Sequence, residues 1–573
     1  MIKQNDKLKL RQLFLYVLSI GLISFQISCK DELAEVQNEQ AFKEELNNTL
    51  SARTFSGDSI MLENPYSTEN MTKAFQTIKD KNPEYGFGEF DIHTTHYYLK
   101  FTPENEEEVG LLKRDSTIHY FDYRLDAEYR EGYLENRNPD RDTISVYYTA
   151  VPVGKILPNV KHEILSELYI PEQDQYFADI KDYKEYEVTG RVENKTDLFN
   201  NLLFSAYEQT GNENELLTEN STPQARWIFG TKWYPSGSIR VQDDIAGLRP
   251  VTGAQVLMRQ WFTVAQGITD GNGNFSTSSV RGKARYVIQW ERYNYSVRDG
   301  SFFQAETHGP DVKQQSWHPI LNGGKDEYHA LIHQAAHDFY YGNRFALISP
   351  PMNNHFYNFG RQTQIKIAGR LSNSGPTSSF SHLRSEITFG LSAQVHIKDY
   401  GKPSDQVYGT TIHELSHALH SVKDRSSYND IVQDSFLSGN TQVRKRNRRL
   451  LESWPTAVEI LMTLERYRIR FNNPNYLVYQ NLTLNYQNYQ FRTIAAENLY
   501  TSGIYDMTDT VNQRRIFGAG YPMDQVDGYT IKELENALSG ARYWNDYRDK
   551  VKVMYPNKPT RPFVDELFAN WQD

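Results

Sequence analysis

His413-Glu414-Leu415-Ser416-His417 is the stretch on which the reading of this chain turns. It fits the pattern H-E-x-x-H, and the spacing has a chemical reason. Two His four apart on a helix lie about 40° apart around the axis, so both imidazoles can reach one metal ion. Glu414 sits one step round from His413, within reach of the proton of a water held at that metal. The surrounding segment has the pattern of a helix. Ser404 is the expected N-cap, and Tyr408, Ile412, Leu415 and Leu419 form an apolar stripe at helical spacing, apart from the two His. One side of such a helix enters a core while another presents ligands.

A catalytic zinc usually takes three protein ligands and keeps one position for water. The extended pattern H-E-x-x-H-x-x-G-x-x-H is not met, since His420 stands at its Gly position and Val422 to Asp424 hold no His, which argues against a metzincin. Further on lies Leu450-Leu451-Glu452-Ser453-Trp454-Pro455-Thr456-Ala457-Val458-Glu459. This segment resembles the second helix of the gluzincins, the thermolysin-like metallopeptidases in which a Glu from a later helix completes a His, His, Glu site. The resemblance implies zinc on His413, His417 and Glu452, with Glu414 as general base. Glu459 is the alternative third ligand, on the same face but about 10 Å further along the axis. Pro455 is tolerated in a first helical turn, so the helix is expected to open near Glu452. By the same resemblance, residues near 387–398 would form a strand that holds the substrate backbone. A Tyr, His or Arg would also assist the transition state, and Tyr529, with Tyr521 beside it, is the candidate donor.

Other residues invite chemistry. His420 lies one turn beyond His417 and reads as a polar residue at the cleft edge. His329, His333 and His337 are spaced four apart on an expected helix, where a polar face is the simpler account than a second metal site. Arg444, Lys445, Arg446, Arg448 and Arg449 read as a solvated basic face.

The N-terminus has the form of an export signal. Lys3, Lys7, Lys9 and Arg11 precede a mostly apolar run from Leu13 to Ile27, too short for a good membrane span. Gln26-Ile27-Ser28-Cys29 resembles a bacterial lipobox, and Cys29 is the single cysteine of the chain. Lys30-Asp31-Glu32 resembles the export signal of Bacteroidetes surface lipoproteins. These resemblances imply lipid attachment at Cys29 and display at the outer membrane, with no disulfide in the fold. The formal net charge of −10 over 573 residues argues against nucleic acid as the main partner.

The organisation expected is multidomain α+β. Residues 1–28 are a signal peptide, and 29–60 a tether with a helix near 38–50. Residues 61–208 form an N-terminal α/β domain with strands at 97–101 and 144–148 and helices at 104–114 and 160–169. A linker spans 209–224. Residues 225–310 resemble a carboxypeptidase-regulatory-like β-sandwich, carried by 250–256, 269–275 and 286–290. Its Asp270-Gly271-Asn272-Gly273 centre is a turn and not an EF-hand, because Phe275 and Arg281 stand where Gly and Glu are needed. Residues 311–573 form a mostly helical zincin-like domain, with Thr530-Ile531-Lys532-Glu533 as a capping box. The function implied is zinc-dependent hydrolysis of peptide bonds in extracellular proteins or glycoproteins. The alternative is a surface binding lipoprotein that keeps a peptidase-like fold without catalysis.

Overall fold

The computed structural model describes residues 59–115, 117–129, 145–180, 186–187, 192–216, 228–229, 232–300, 303–357, 360–361, 364–371, 378–380, 393–476 and 489–571. The signal segment, Cys29, the tether and residues 386–391 lie outside them. The described fold is α+β, with several sheets and many helices.

In the N-terminal unit, strand His96–Phe101 is flanked by antiparallel strands Tyr147–Pro152 and His162–Leu168. Side chains alternate across it, as the pleat requires. Tyr98 faces helices Thr68–Lys81 and Lys195–Gln209, whereas Leu99 and Phe101 pack on Val109 and Leu112 of helix Glu106–Leu112. Residues 160–169 are therefore not a helix. Ile164, Leu165 and Leu168 have helical spacing, but the segment has one neighbouring strand to pair with and becomes the sheet edge. Glu163 and Glu167 are left exposed there. Tertiary pairing has overridden local pattern.

The central region holds a four-stranded antiparallel sheet, in the order Thr263–Ile268, Gln255–Gln260, Ala284–Gln289, Glu306–Val312. A three-stranded sheet of Gly247–Pro250, Arg240–Asp243 and Ile320–Leu321 shares its core. The four-stranded sheet is buried on both faces. Val256 and Met258 join the core that continues into the C-terminal region, while Leu257 and Val287 join the core of the N-terminal unit. The run Val256-Leu257-Met258 is continuously apolar for this reason. In the expected turn, the Asp270 carboxylate accepts the main-chain N–H of Asn272 and of Asn274 at 2.8 and 2.9 Å, so it closes the turn.

The boundary expected at residue 310 does not separate the sheets. After strand Ala284–Gln289 the chain leaves for a second, mixed sheet. That sheet runs Glu291–Arg292, Tyr295–Asp299, Ile365–Gly369, Val395–Ile397, Ser379–Phe380. The chain then returns to the first sheet at Glu306–Val312. Tyr295–Asp299, Ile365–Gly369 and Val395–Ile397 are parallel neighbours, and Ser379–Phe380 is antiparallel at the end. Val395–Ile397, expected at a substrate-holding edge, is instead paired on both sides.

One face of the mixed sheet packs on helix Gly324–Tyr341, the backing helix. The motif helix, Ser404–Lys423, lies against the backing helix, and helix Thr441–Thr463 lies across the motif helix. The predicted stripe of Tyr408, Ile412, Leu415 and Leu419 is buried throughout. Ser404 is the first residue of its helix and not its cap. Its Oγ accepts from Asp244 N at 3.1 Å, and its N donates to Asp244 Oδ1 at 2.8 Å, which ties the helix start to the three-stranded sheet. Thr530 and Glu533 form the expected capping box before helix Ile531–Ala537.

Leu257 is fully buried between the N-terminal unit and the four-stranded sheet. Leu257→Ala is expected to destabilise the fold by about 2–5 kcal/mol, the usual cost of a large core cavity. Denaturant unfolding checks this, and a loss under 1 kcal/mol means the interface is loosely packed.

Candidate metal centre

The two motif histidines face one carboxylate. Glu452 Oε2 lies 3.4 Å from His413 Nε2 and 3.4 Å from His417 Nε2. Donor atoms about 2.0–2.1 Å from a tetrahedral zinc stand roughly 3.3–3.5 Å from each other. The two separations are wide enough to admit a metal ion of that size, and they are also those of long N···O hydrogen bonds. These three residues form the one group of metal-ligating side chains brought together among the described residues.

Glu459 has a different place. Its Oε2 lies 2.9 Å from Nδ1 of His413, on the far side of the ring from Glu452. A carboxylate there accepts a hydrogen bond from Nδ1–H, which keeps the proton on Nδ1 and leaves Nε2 as the lone-pair donor. Both candidate glutamates reach the same imidazole from one helix, at different nitrogens. The geometry supports Glu452 as ligand and Glu459 as the group that orients His413.

The helix that carries them does not open near Glu452. It begins at Thr441, capped by the Asn440 side chain on the N–H groups of Gln442 and Val443, and Pro455 is in its interior. Interior proline removes one helical hydrogen bond and costs about 3 kcal/mol. The strong cap, the burial of Leu450, Leu451, Trp454, Ala457 and Val458, and the extra bond from Thr456 Oγ1 to the Glu452 carbonyl (2.8 Å) offset it.

Electrostatics follow from burial and pairing. Burial opposes a charge on His413, but Glu452 and Glu459 outweigh it and lift the ring to about 10. Burial keeps His417 below its ordinary value. Burial also opposes ionisation of Glu452, yet His413 and His417 hold it below the usual carboxylate range. A dication held at this point would take over from the proton as the charge that the carboxylates neutralise. The three motif residues and Glu452 are nearly enclosed, at 6 % exposure for His413 and His417, 4 % for Glu414 and 1 % for Glu452.

A tyrosine that the sequence did not single out stands at the site. The Tyr500 ring lies 5.7 Å from that of His413. Its segment is fastened to the ligand helix by residues one turn apart. Arg449 Nε donates to Asn498 O at 2.7 Å, and Ser453 Oγ donates to Leu499 O at 2.9 Å. Arg449 is thus a buried structural donor and not part of a solvated basic face. Arg446 stacks over Tyr543, and Arg448 lies 3.9 Å from Glu452 Oε1. With 39 Tyr in the chain, nothing local marks Tyr500.

Tyr529 is buried with its ring against Tyr555 and Lys558, and Tyr521 packs on Phe517. His420 is fully buried against Tyr428, and burial with the nearby His417 pushes it down to about 3. The backing-helix histidines take separate partners, although the rings of His333 and His337 lie 5.9 Å apart. His333 bonds Tyr295 Oη and the Thr252 carbonyl, both at 3.1 Å. His337 packs where Gly253 leaves no room for a Cβ, and His329 lies 4.0 Å from Asp299. They connect sheets to helix and do not converge.

Compared with known proteins, the chain matches no family model, no curated protein and no solved structure. No helix among the described residues is long and apolar enough to cross a membrane.

The geometry predicts a graded response of metal content. His413→Ala, His417→Ala and Glu452→Ala are expected to abolish stoichiometric zinc. Glu459→Ala is expected to keep the ion with affinity weakened about 10–100-fold. Elemental analysis and competition with a chelating dye measure this, and full zinc retention by Glu452→Ala would show that the ligand set is wrong.

Proposed function

We propose that this protein is a zinc-dependent metallopeptidase that hydrolyses peptide bonds of extracellular proteins or glycoproteins, displayed as a lipoprotein at the bacterial outer membrane. The observation that carries the reading is the placement of Glu452 Oε2 at 3.4 Å from each motif Nε2, with Glu414 one residue from a ligand. When bound, zinc would act as a Lewis acid on the scissile carbonyl and acidify a water towards neutral pH. His413, His417 and Glu452 would hold it, and Glu459 keeps the His413 ring in the required tautomer. Glu414 accepts the proton of the attacking water and returns it to the leaving amine. Tyr500, packed on His413, joins Tyr529 as a candidate donor to the developing oxyanion and is the one in ring contact with a motif histidine.

The alternative, a binding lipoprotein without catalysis, draws on the near-complete enclosure of the site. A substrate carbonyl reaches such a centre after neighbouring chain moves aside. A binder, however, has no use for a base beside a completed ligand set.

Glu414→Gln separates the two. The variant is expected to fold and keep zinc but lose about 10²–10⁴-fold in turnover against a peptide library. Wild type that cleaves nothing, while both forms bind the same surface partner, would leave the binding reading standing. Tyr500→Phe is expected to lower kcat by about 10²-fold with KM unchanged, and Tyr529→Phe to leave both as they are.

The attachment proposal rests on Cys29 as the single thiol after the apolar leader. Cys29→Ala is expected to release the protein from the outer membrane or leave it unprocessed, as fractionation and mass spectrometry would show. Full membrane partitioning of a processed Cys29→Ala chain rules out the lipid anchor.

A further inference from the structure

Tyr500 stands on a short segment, residues 498–502, that runs from the metal centre to a cluster of buried acids. On the side of the centre, Ser453 of the ligand helix accepts Thr501 N at 3.0 Å and shares a hydroxyl bond of 2.8 Å with Thr501 Oγ1. On the other side, Ser502 meets Asp506 twice. Asp506 N donates to Ser502 O at 2.8 Å, and Ser502 Oγ donates to Asp506 Oδ2 at 2.8 Å. Asp506 is fully buried, and its other oxygen accepts Gln513 Nε2 at 2.7 Å. Gln513 is fully buried too, and its Oε1 has no hydrogen-bond partner.

Both partners of the Asp506 carboxyl are therefore neutral, and its charged neighbours are acids. Asp509 presses on it from the same stretch of chain, and it presses in turn on Asp524 of the segment 521–529. That segment is folded against 507–514 by bonds from Tyr529 N to Met507 O (3.2 Å) and from Arg514 N to Pro522 O (2.9 Å). Asp524 is buried and accepts Val526 N at 2.9 Å, and Asp509 accepts Val511 N and the Gln490 amide. The cations of the surrounding elements are turned elsewhere. Arg514 bonds Tyr521 O and Asn570 Oδ1, both at 2.9 Å, Arg492 pairs with Glu497, and Arg468 acts on Tyr505. A carboxylate enclosed beside like charges, with no cation among the described residues acting on it, is costly, and a proton removes the cost. Burial, and then Asp509, accordingly hold Asp506 well above the ordinary carboxylate range, and burial lifts Asp509 and Asp524 the same way.

We propose that Asp506 is a proton-held latch for the segment that carries Tyr500. A proton on Oδ2 turns the bond to Ser502 round at the same 2.8 Å, so that the carboxyl donates to Ser502 Oγ and neutral groups hold the two stretches together. Loss of that proton to solvent leaves a buried anion beside Asp509 and Asp524, and the chain from Asn498 to Asp506 is released. The sign follows from linkage. The folded form keeps a proton that the unfolded chain gives up near pH 4, so the stability due to this group is complete in acid. It is lost as the pH climbs from about 4 through the raised folded value. Asp506 acts on the metal centre through position alone, because Tyr500 is the residue of the segment in ring contact with His413. Its bearing on turnover rests on the function proposed above, whereas the latch itself is measured without substrate.

The test compares the full chain with Asp506→Asn, whose amide has the shape of the neutral acid and offers Ser502 a donor at every pH. Thermal unfolding and hydrogen exchange over 498–506, corrected for the intrinsic rate, are followed at about pH 5.5 and about pH 8.5. At the lower pH the two proteins are expected to agree. At the higher pH the variant is expected to unfold on the order of 2 °C above the wild type and to exchange more slowly over 498–506, with the backing helix unchanged. If Asp506→Asn does not fold, Asp524→Asn keeps the acceptor for Val526 N and removes a like charge. It is expected to move both measurements the same way by a smaller amount. A difference from wild type that is the same at both pH values overturns the latch, and so does a folded variant less stable than wild type at the higher pH. Calcium that raises the midpoint of the wild type and not of Asp506→Asn also overturns it, because a cation and not a proton then neutralises the cluster. None of these measurements needs peptide hydrolysis, so the latch and the proposed function fail separately.

Discussion

A hydrogen bond between Glu459 and Nδ1 of His413 sets the condition on which the centre depends. An imidazole has two nitrogens and can face a metal with either. A carboxylate at Nδ1 fixes that proton and so commits Nε2 to the ligand position. For Glu459 to do this while Glu452 meets Nε2, one helix must present two acids, seven residues apart, to opposite edges of one ring. This requires the helix to run past His413 for two full turns. Its start at Thr441 and its continuation through Pro455 meet that need, and a helix opening at Glu452 would give the acids a less firmly held frame.

The scaffold around this contact is held by charge as well as by packing. Arg466, 2 % exposed, follows directly on the ligand helix. It bonds Asp338 of the backing helix at 3.1 Å and stacks over Tyr408 of the motif helix. Tyr408 Oη reaches the same Asp338 oxygen at 3.0 Å, and Arg470 reaches the other at 2.8 Å. Burial opposes ionisation of Asp338, but the two guanidinium groups hold it below the usual range. Three helices are thereby referenced to one carboxylate. Removing one partner would leave the other charges buried and uncompensated, which costs far more than the pair contributes.

Much of the centre was legible because its chemistry imposes spacing. Two His at i and i+4, a Glu between them and an apolar stripe beside them leave few alternatives. What was not legible came from contacts between distant segments. Tyr500 is positioned by Arg449 and Ser453, about fifty residues earlier, through main-chain carbonyls that carry no sequence signature. The strand at 162–168 is a strand because a partner lies beside it, although its apolar residues fall at helical intervals. Pro455 pointed to a helix start, since the tertiary burial that lets an interior proline stand cannot be read locally. His333 looked available for a metal and is instead a bridge between Tyr295 and Thr252, residues that meet it only in the folded chain.

The excursion of residues 291–304 from one sheet into the other, with its return at Glu306, bears on how this architecture can be inherited. Modules that are traded between genes are cut at linkers, so each piece carries a whole sheet with it. Here no single cut in the chain separates the four-stranded sheet from the mixed one. A break before Glu291 takes Glu306–Val312 from the first sheet, and a break after Val312 takes Tyr295–Asp299 from the second. The four-stranded sheet and the mixed sheet are therefore joined like two fabrics sharing a thread. A single cut in the chain cannot hand either sheet on whole.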